Sequence, residues 1–167
     1  LGFWSNRNGQ ALVDAGDLAA LVALNLRNGT GANFDPANYA ALKTWLLNGT
    51  AVNMAYMLSV QLAAMKLNTL NGFVNGGGFY VPAGMTIDQI MAAANTSLGL
   101  YGLTLSGHPQ RANQDAEVLG LLRGVQSPDR PEDDAMRQHP AGMLSQEREQ
   151  LERAIDRDET PPLERVV

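Results

Sequence analysis

Between Ala51 and Leu70 the chain is apolar over most of a helix's circumference, and this stretch limits what the rest can do. Met54, Tyr56, Met57, Leu58, Val60, Leu62, Met65, Leu67 and Leu70 leave no broad polar face. A helix apolar nearly all round needs neighbours on several sides. The stretch is long enough to cross a bilayer, but Asn53, Gln61, Lys66 and Asn68 would be costly at hydrocarbon depth. It therefore reads as the central helix of an all-α domain, with no membrane span. Thr50 is its expected N-cap, and Asn71-Gly72 its stop.

Shorter amphipathic segments surround it. Asp17–Arg27 carries Leu18, Leu21, Val22 and Leu24 at helical spacing and ends at Asn28-Gly29. Asp35-Pro36 opens a second helix, because Asp caps free N–H groups and Pro suits the first helical position. Tyr39, Leu42, Trp45 and Leu46 form its stripe, and Asn48-Gly49 ends it. Thr86-Ile87-Asp88-Gln89 reads as a capping box opening a helix to about Leu98. Another helix is expected over Pro109–Arg123, with Ala112, Ala116, Val118, Leu119 and Leu122 as its apolar positions. Gly76-Gly77-Gly78 is a flexible loop, and Phe79-Tyr80-Val81 reads as extended. The predicted architecture is a compact all-α bundle of about four to five helices around the central helix at about 51–70. Three Asn-Gly pairs, at 28, 48 and 71, are read as one C-cap device used three times rather than as a repeat array.

Charge divides the sequence in two. Residues 1–105 carry Arg7, Arg27, Lys43 and Lys66 against Asp14, Asp17, Asp35 and Asp88, whereas residues 106–167 carry eight Arg, thirteen acids and no Lys. The net charge over all residues is −5, which disfavours nucleic acid and anionic membrane as partners. We expect a helical module over 1–124. A charged, partly disordered tail rich in Pro, Arg and acids would follow over 125–167, with a helix at 145–157. That helix, with only Leu151 and Ile155 as large apolar residues, is a weak basis for a protein-binding tail. The sequence begins at Leu1 rather than methionine, which points to a fragment or processed product.

No cofactor, metal or catalytic set emerges. Cysteine is absent, which excludes disulfides and thiolate chemistry. His108 and His139 each precede proline and have no partner implied by spacing. Asp14-Ala15-Gly16-Asp17 resembles half a calcium loop, but residues 1–105 contain no Glu to complete one, so Asp17 reads as a helix cap. The triple glycine lacks the lysine and hydroxyl of a phosphate loop. Asn28-Gly29-Thr30, Asn48-Gly49-Thr50 and Asn95-Thr96-Ser97 match the glycosylation triplet, as chance matches do in an Asn-rich sequence. The four Asp of the first segment fall at loops or helix starts, where capping explains them.

Phe3-Trp4-Ser5-Asn6-Arg7 is the segment with a functional reading. Two aromatics beside amide and guanidinium donors could bind carbohydrate or peptide, with Phe3, Trp4, Asn6 and Arg7 as contacts. The plainer reading has Phe3 and Trp4 folded back on the core while the amides satisfy turns.

Several blocks together carry a resemblance: Gly2-Phe3-Trp4-Ser5-Asn6-Arg7-Asn8-Gly9-Gln10, Leu24-Asn25-Leu26-Arg27-Asn28, Phe34-Asp35-Pro36, Thr44-Trp45-Leu46-Leu47-Asn48, and the helix ending Gln61-Leu62-Ala63-Ala64-Met65-Lys66-Leu67-Asn68. Over roughly residues 2–115 the sequence resembles a helical module of large secreted or surface-displayed bacterial proteins, whose looser relatives open Gly-Tyr-Trp-Lys-Asn. The resemblance implies location and company more than mechanism. The expected role is a non-catalytic structural or interaction module, extracellular or at the cell surface. Its partners would be neighbouring domains of a larger protein and a carbohydrate or protein ligand. The alternative is an accessory substrate-binding domain of an extracellular hydrolase. The Arg- and acid-rich text after about Ala116 departs from the resemblance, as a linker, a fused segment or out-of-frame sequence would.

Overall fold

The computed structural model describes residues 2–124; the expected tail at 125–167 and its helix at 145–157 lie outside the described residues. Among the described residues the fold is helical: α1 (Arg7–Leu12), α2 (Ala15–Val22), α3 (Tyr39–Leu47), α4 (Met54–Leu70), α5 (Ile87–Leu100) and α6 (Arg111–Gly124). A two-stranded antiparallel ladder, β1 (Phe79–Tyr80) and β2 (Met85–Thr86), precedes α5. No helix there is long and apolar enough to cross a membrane.

The long apolar helix is central, as its sequence requires. α4 packs chiefly on α5 and α6, and also on α2. Leu58, Val60, Leu62, Ala63 and Leu67 are wholly excluded from solvent. They meet Leu21 of α2, Leu42 and Trp45 of α3, Ala94 and Leu98 of α5, and Leu121 of α6 in one core. Each fully buried leucine contributes about 1.5–3 kcal/mol, so this helix dominates stability. Ala55, Ser59, Ala63 and Ala64 also lie buried on α4, where small side groups let neighbouring helices approach closely.

Helix starts differ from the sequence reading in a consistent way, because asparagine outcompetes the expected caps. Asn53, not Thr50, caps α4, and Asn38, not Asp35, caps α3 by accepting from the Ala41 N–H at 2.9 Å. Asn6 caps α1, a helix the sequence reading lacks. The capping box of α5 is as expected: Thr86 Oγ1 accepts from the Gln89 N–H at 3.2 Å and Gln89 Oε1 from the Thr86 N–H at 2.9 Å. α6 starts at Arg111, two residues after Pro109.

α2 ends at Val22, five residues before the expected Arg27. Residues of other helices capture the backbone donors that would have continued it. The Asn25 N–H donates to Asn95 Oδ1 at 2.7 Å, and the Arg27 N–H to Ser59 Oγ at 2.8 Å. The backbone therefore runs extended, buries Leu26, and forms an isolated bridge from Arg27 to Asn33. The shared C-cap reading of the Asn-Gly pairs also needs correction. Only Gly72, at φ +72°, takes the left-handed conformation; Gly29 and Gly49 do not. Gly49 is instead placed by close approach, since a Cβ there would lie 2.9 Å from Val60 Cγ2. Phe79-Tyr80 is extended as expected, but Val81, expected to be extended too, opens a single 3-10 turn, Val81–Ala83, that leads through Gly84 to the partner strand.

Candidate functional site

The N-terminal segment is anchored from below. Trp4 is 1% exposed, and its indole Nε1–H donates to Asn68 Oδ1 on α4 at 2.9 Å. Phe3 meets Trp4 edge-to-face at 5.0 Å, and meets Phe73 the same way at 5.6 Å. Asn6 Oδ1 accepts from the N–H groups of Asn8 and Gly9, and the Tyr39 hydroxyl donates to the Asn6 carbonyl at 2.9 Å. Burial raises the pKa of that hydroxyl, so it stays a donor across the physiological range.

The four candidate contacts thus divide. Trp4 presents no face to solvent, and the Asn6 amide oxygen is occupied by its cap. Phe3, at 38% exposure, and Arg7 remain on the surface. The structure adds Phe73, 56% exposed, which sequence reasoning missed. Its signal was positional: a residue just past a glycine C-cap commonly folds back on the preceding helix.

A second polar centre lies at the entry to α4. Asn53 Oδ1 accepts from the N–H groups of Thr104, at 2.9 Å, and Ala55, at 3.2 Å. Its Nδ2 donates to the carbonyls of Gly102, at 3.2 Å, and Asn28, at 3.3 Å. Thr104 Oγ1 accepts from the Ala55 N–H at 2.8 Å and pairs with Gln114 Oε1, while Gln114 Nε2 donates to the Tyr101 carbonyl at 2.9 Å. Arg111 closes the outside: its guanidinium donates to the carbonyls of Ala51 at 2.6 Å, Thr104 at 3.0 Å and Val52 at 3.2 Å.

Beside this centre is an open hollow of about 480 Å³ lined by Met54, His108, Arg111, Ala112 and Asp115. His108 Nδ1 accepts from the Gln110 N–H at 3.1 Å, which fixes the ring, and Tyr101 meets it edge-on. Arg111 is engaged by three carbonyls, which leaves Asp115 as the freest charge in the hollow. Among the described residues no three His, Asp or Glu residues converge as metal ligands. The N-cap of α2 is Asp14 rather than the expected Asp17, which sits in the first turn and completes a reciprocal capping box: the Asp17 N–H donates to Asp14 Oδ1 at 2.9 Å.

One carboxylate is poorly served. Glu117 Oε2 is buried at the α5–α6 seam without a hydrogen-bond partner among the described residues. Burial raises its pKa, and a hydrogen bond with Ser97 partly offsets the rise.

Compared with protein-family models, curated proteins and solved structures, this protein finds no match.

Proposed function

We propose that this protein is a non-catalytic interaction module of a bacterial extracellular or cell-surface protein. It would meet a neighbouring domain or an external ligand through the edge formed by Phe3 and Phe73, with the exposed Arg7 on the same N-terminal segment. One observation carries the reading: two exposed phenylalanines meet each other edge-to-face over Trp4, which Phe3 contacts edge-on at 5.0 Å and Phe73 at a tilt at 6.0 Å, and Trp4 itself is buried and hydrogen-bonded. Fixed aromatics make good contact anchors, since little conformational entropy remains to be lost on binding. The buried polar residues support it too. Asp17, Asn53, Ser59, Thr104 and Gln114 are all engaged in hydrogen bonds that hold the fold. The two blocks that carry the sequence resemblance most clearly, the Gly2–Gln10 opening and the stretch 53–68, which is the N-cap and most of α4, touch at the Trp4–Asn68 bond.

The test uses Trp4 as the reporter. In a Trp45→Phe background, neighbouring-domain protein or bacterial surface polysaccharide is titrated while Trp4 emission is followed, since Phe3 and Phe73 contact its ring. A saturable shift, lost in Phe3→Ser/Phe73→Ser, is expected. Full affinity in that folded double variant would remove the edge from consideration. A response to polysaccharide but not to protein would favour the accessory domain of a hydrolase.

A further inference from the structure

Five asparagines in the sequence are followed by glycine: Asn8, Asn28, Asn48, Asn71 and Asn75. The pair is chemically special, because glycine offers no bulk to hinder its own amide nitrogen from attacking the asparagine amide carbon. Whether it does depends on how firmly the fold holds the two groups. In four of the pairs at least one of the two groups is held. Gly9 is buried in α1, with its N–H donated to Asn6 Oδ1. Asn28 Oδ1 accepts from the Thr30 N–H, Thr30 Oγ1 and the Ala32 N–H, and its carbonyl accepts from the Gly31 N–H and Asn53 Nδ2. Asn71 Nδ2 donates to Asp17 Oδ2 and the Leu67 carbonyl. Asn75 accepts from the Gly77 N–H through Oδ1 and from the Gly78 N–H through its carbonyl.

Asn48 differs. It is the exposed C-cap of α3, and its amide group makes no hydrogen bond among the described residues. The Gly49 N–H reaches only the Leu46 carbonyl at 3.4 Å, beyond the usual range for such a bond. The Asn48 N–H still donates to the Thr44 carbonyl at 3.2 Å, but the last turn of a helix opens at little free-energy cost.

We propose that Asn48 is a self-modification site of the folded protein, converted without an enzyme to aspartate and isoaspartate. Hydroxide removes the Gly49 amide proton, and the nitrogen attacks Asn48 Cγ. The new bond from nitrogen to Cγ closes a cyclic imide as the bond from Cγ to Nδ2 breaks, and Nδ2 leaves as ammonia with a proton from water. A water molecule then opens the imide at either carbonyl, giving aspartate or isoaspartate at position 48. The product adds a negative charge at the C-terminal end of α3, where the helix dipole disfavours it. The isoaspartyl form also inserts an extra backbone carbon directly before Gly49, whose backbone packs closely on Val60 of α4.

The intact protein is aged at mildly alkaline pH, folded and in urea, then digested with trypsin and mapped by mass. Cleavage after Arg7, Arg27, Lys43, Lys66 and Arg111 separates positions 8, 28 and 48, and leaves 71 with 75. In urea all the Asn-Gly peptides should gain the mass of OH replacing NH₂. In the folded protein peptide 44–66 should convert within about twofold of its urea rate, while the others slow by about tenfold or more. Conversion in that peptide should vanish in Asn48→Gln, because the extra methylene of Gln makes imide closure poor. If 44–66 is protected as strongly as the others, if another peptide converts first, or if conversion survives in Asn48→Gln, the assignment is wrong.

Discussion

Replacing Asn53 by alanine should be among the most damaging single polar changes in the described residues, although no large apolar group is removed. Asn53 is 1% exposed and ties two separated segments, the loop at Asn28 and the stretch 102–104, to the start of α4. The losses are unequal. The Ala55 N–H keeps Thr104 Oγ1 as an acceptor, and the Asn28 carbonyl keeps the Gly31 N–H. The Thr104 N–H, on a residue with no exposure, has no second acceptor among the described residues. An orphaned buried donor costs about 1–3 kcal/mol. The Gly102 carbonyl loses its donor at about 0.5–1.5 kcal/mol, being half-buried and reachable by water. A cap substitution typically costs about 1 kcal/mol, here reduced because Ala55 is doubly served. Together these give a loss of about 2–4 kcal/mol, a large share of the ~5–15 kcal/mol that holds an ordinary domain. Urea unfolding followed by far-UV circular dichroism measures it, with an unchanged slope showing that the two end states are the same. Thr104→Val serves as partner variant, and the double variant should show coupling of at least ~0.5 kcal/mol. A loss below ~1 kcal/mol for Asn53→Ala, with slope unchanged, would refute the argument that this amide organises the loops.

Glu117 makes stability depend on pH. Its folded pKa is raised, so the folded state holds the proton more tightly than the unfolded one. Its contribution is therefore fully present below the ordinary carboxyl range, and is lost as pH rises through the raised value. Glu117→Gln should remove that slope, read as the difference between variant and parent unfolding midpoints at successive pH; parallel curves would contradict it. Trp4→Phe should cost about 1–3 kcal/mol by leaving Asn68 Oδ1 unpaired in a partly buried site; thermal unfolding with no change in midpoint would count against the anchor. Gly9→Ala drives a methyl into the Phe3 carbonyl and the Trp4 backbone, so it should destabilise by about 1–3 kcal/mol. It should also shift Trp4 emission to longer wavelength, and an unshifted spectrum would show that the segment had not moved.

The central helix and the α5 capping box were legible because each rests on neighbouring residues, whereas Asp17 was read as a cap without its partner Asp14. α4 is apolar over most of its circumference within its own length, and Thr86 meets Gln89 within one turn. The early end of α2 was not legible, because the groups that stop it, Asn95 and Ser59, lie far along the sequence. The same holds for the Asn-Gly pairs. Local propensity marks a turn at each, but whether glycine adopts positive φ or simply leaves room for Val60 is decided by a neighbouring helix. At the candidate edge, Phe3 and Trp4 could be named from composition. Their division into exposed and buried depended on Asn68 and Phe73, which come beside them only after α4 is in place.

The Trp4–Asn68 bond joins residues sixty-four positions apart, and that separation has a kinetic consequence. Closing so long a loop costs entropy that no local contact repays. Helices α4, α5 and α6 meet through much shorter connections and bury most of the core. The N-terminal plug therefore finds its slot only when the slot already exists, and docks as the last step of folding and the first of unfolding. Stabilising the plug should lengthen the folded lifetime while leaving the folding rate nearly untouched. Within this fold, the residues that precede every helix in sequence are among the last to settle.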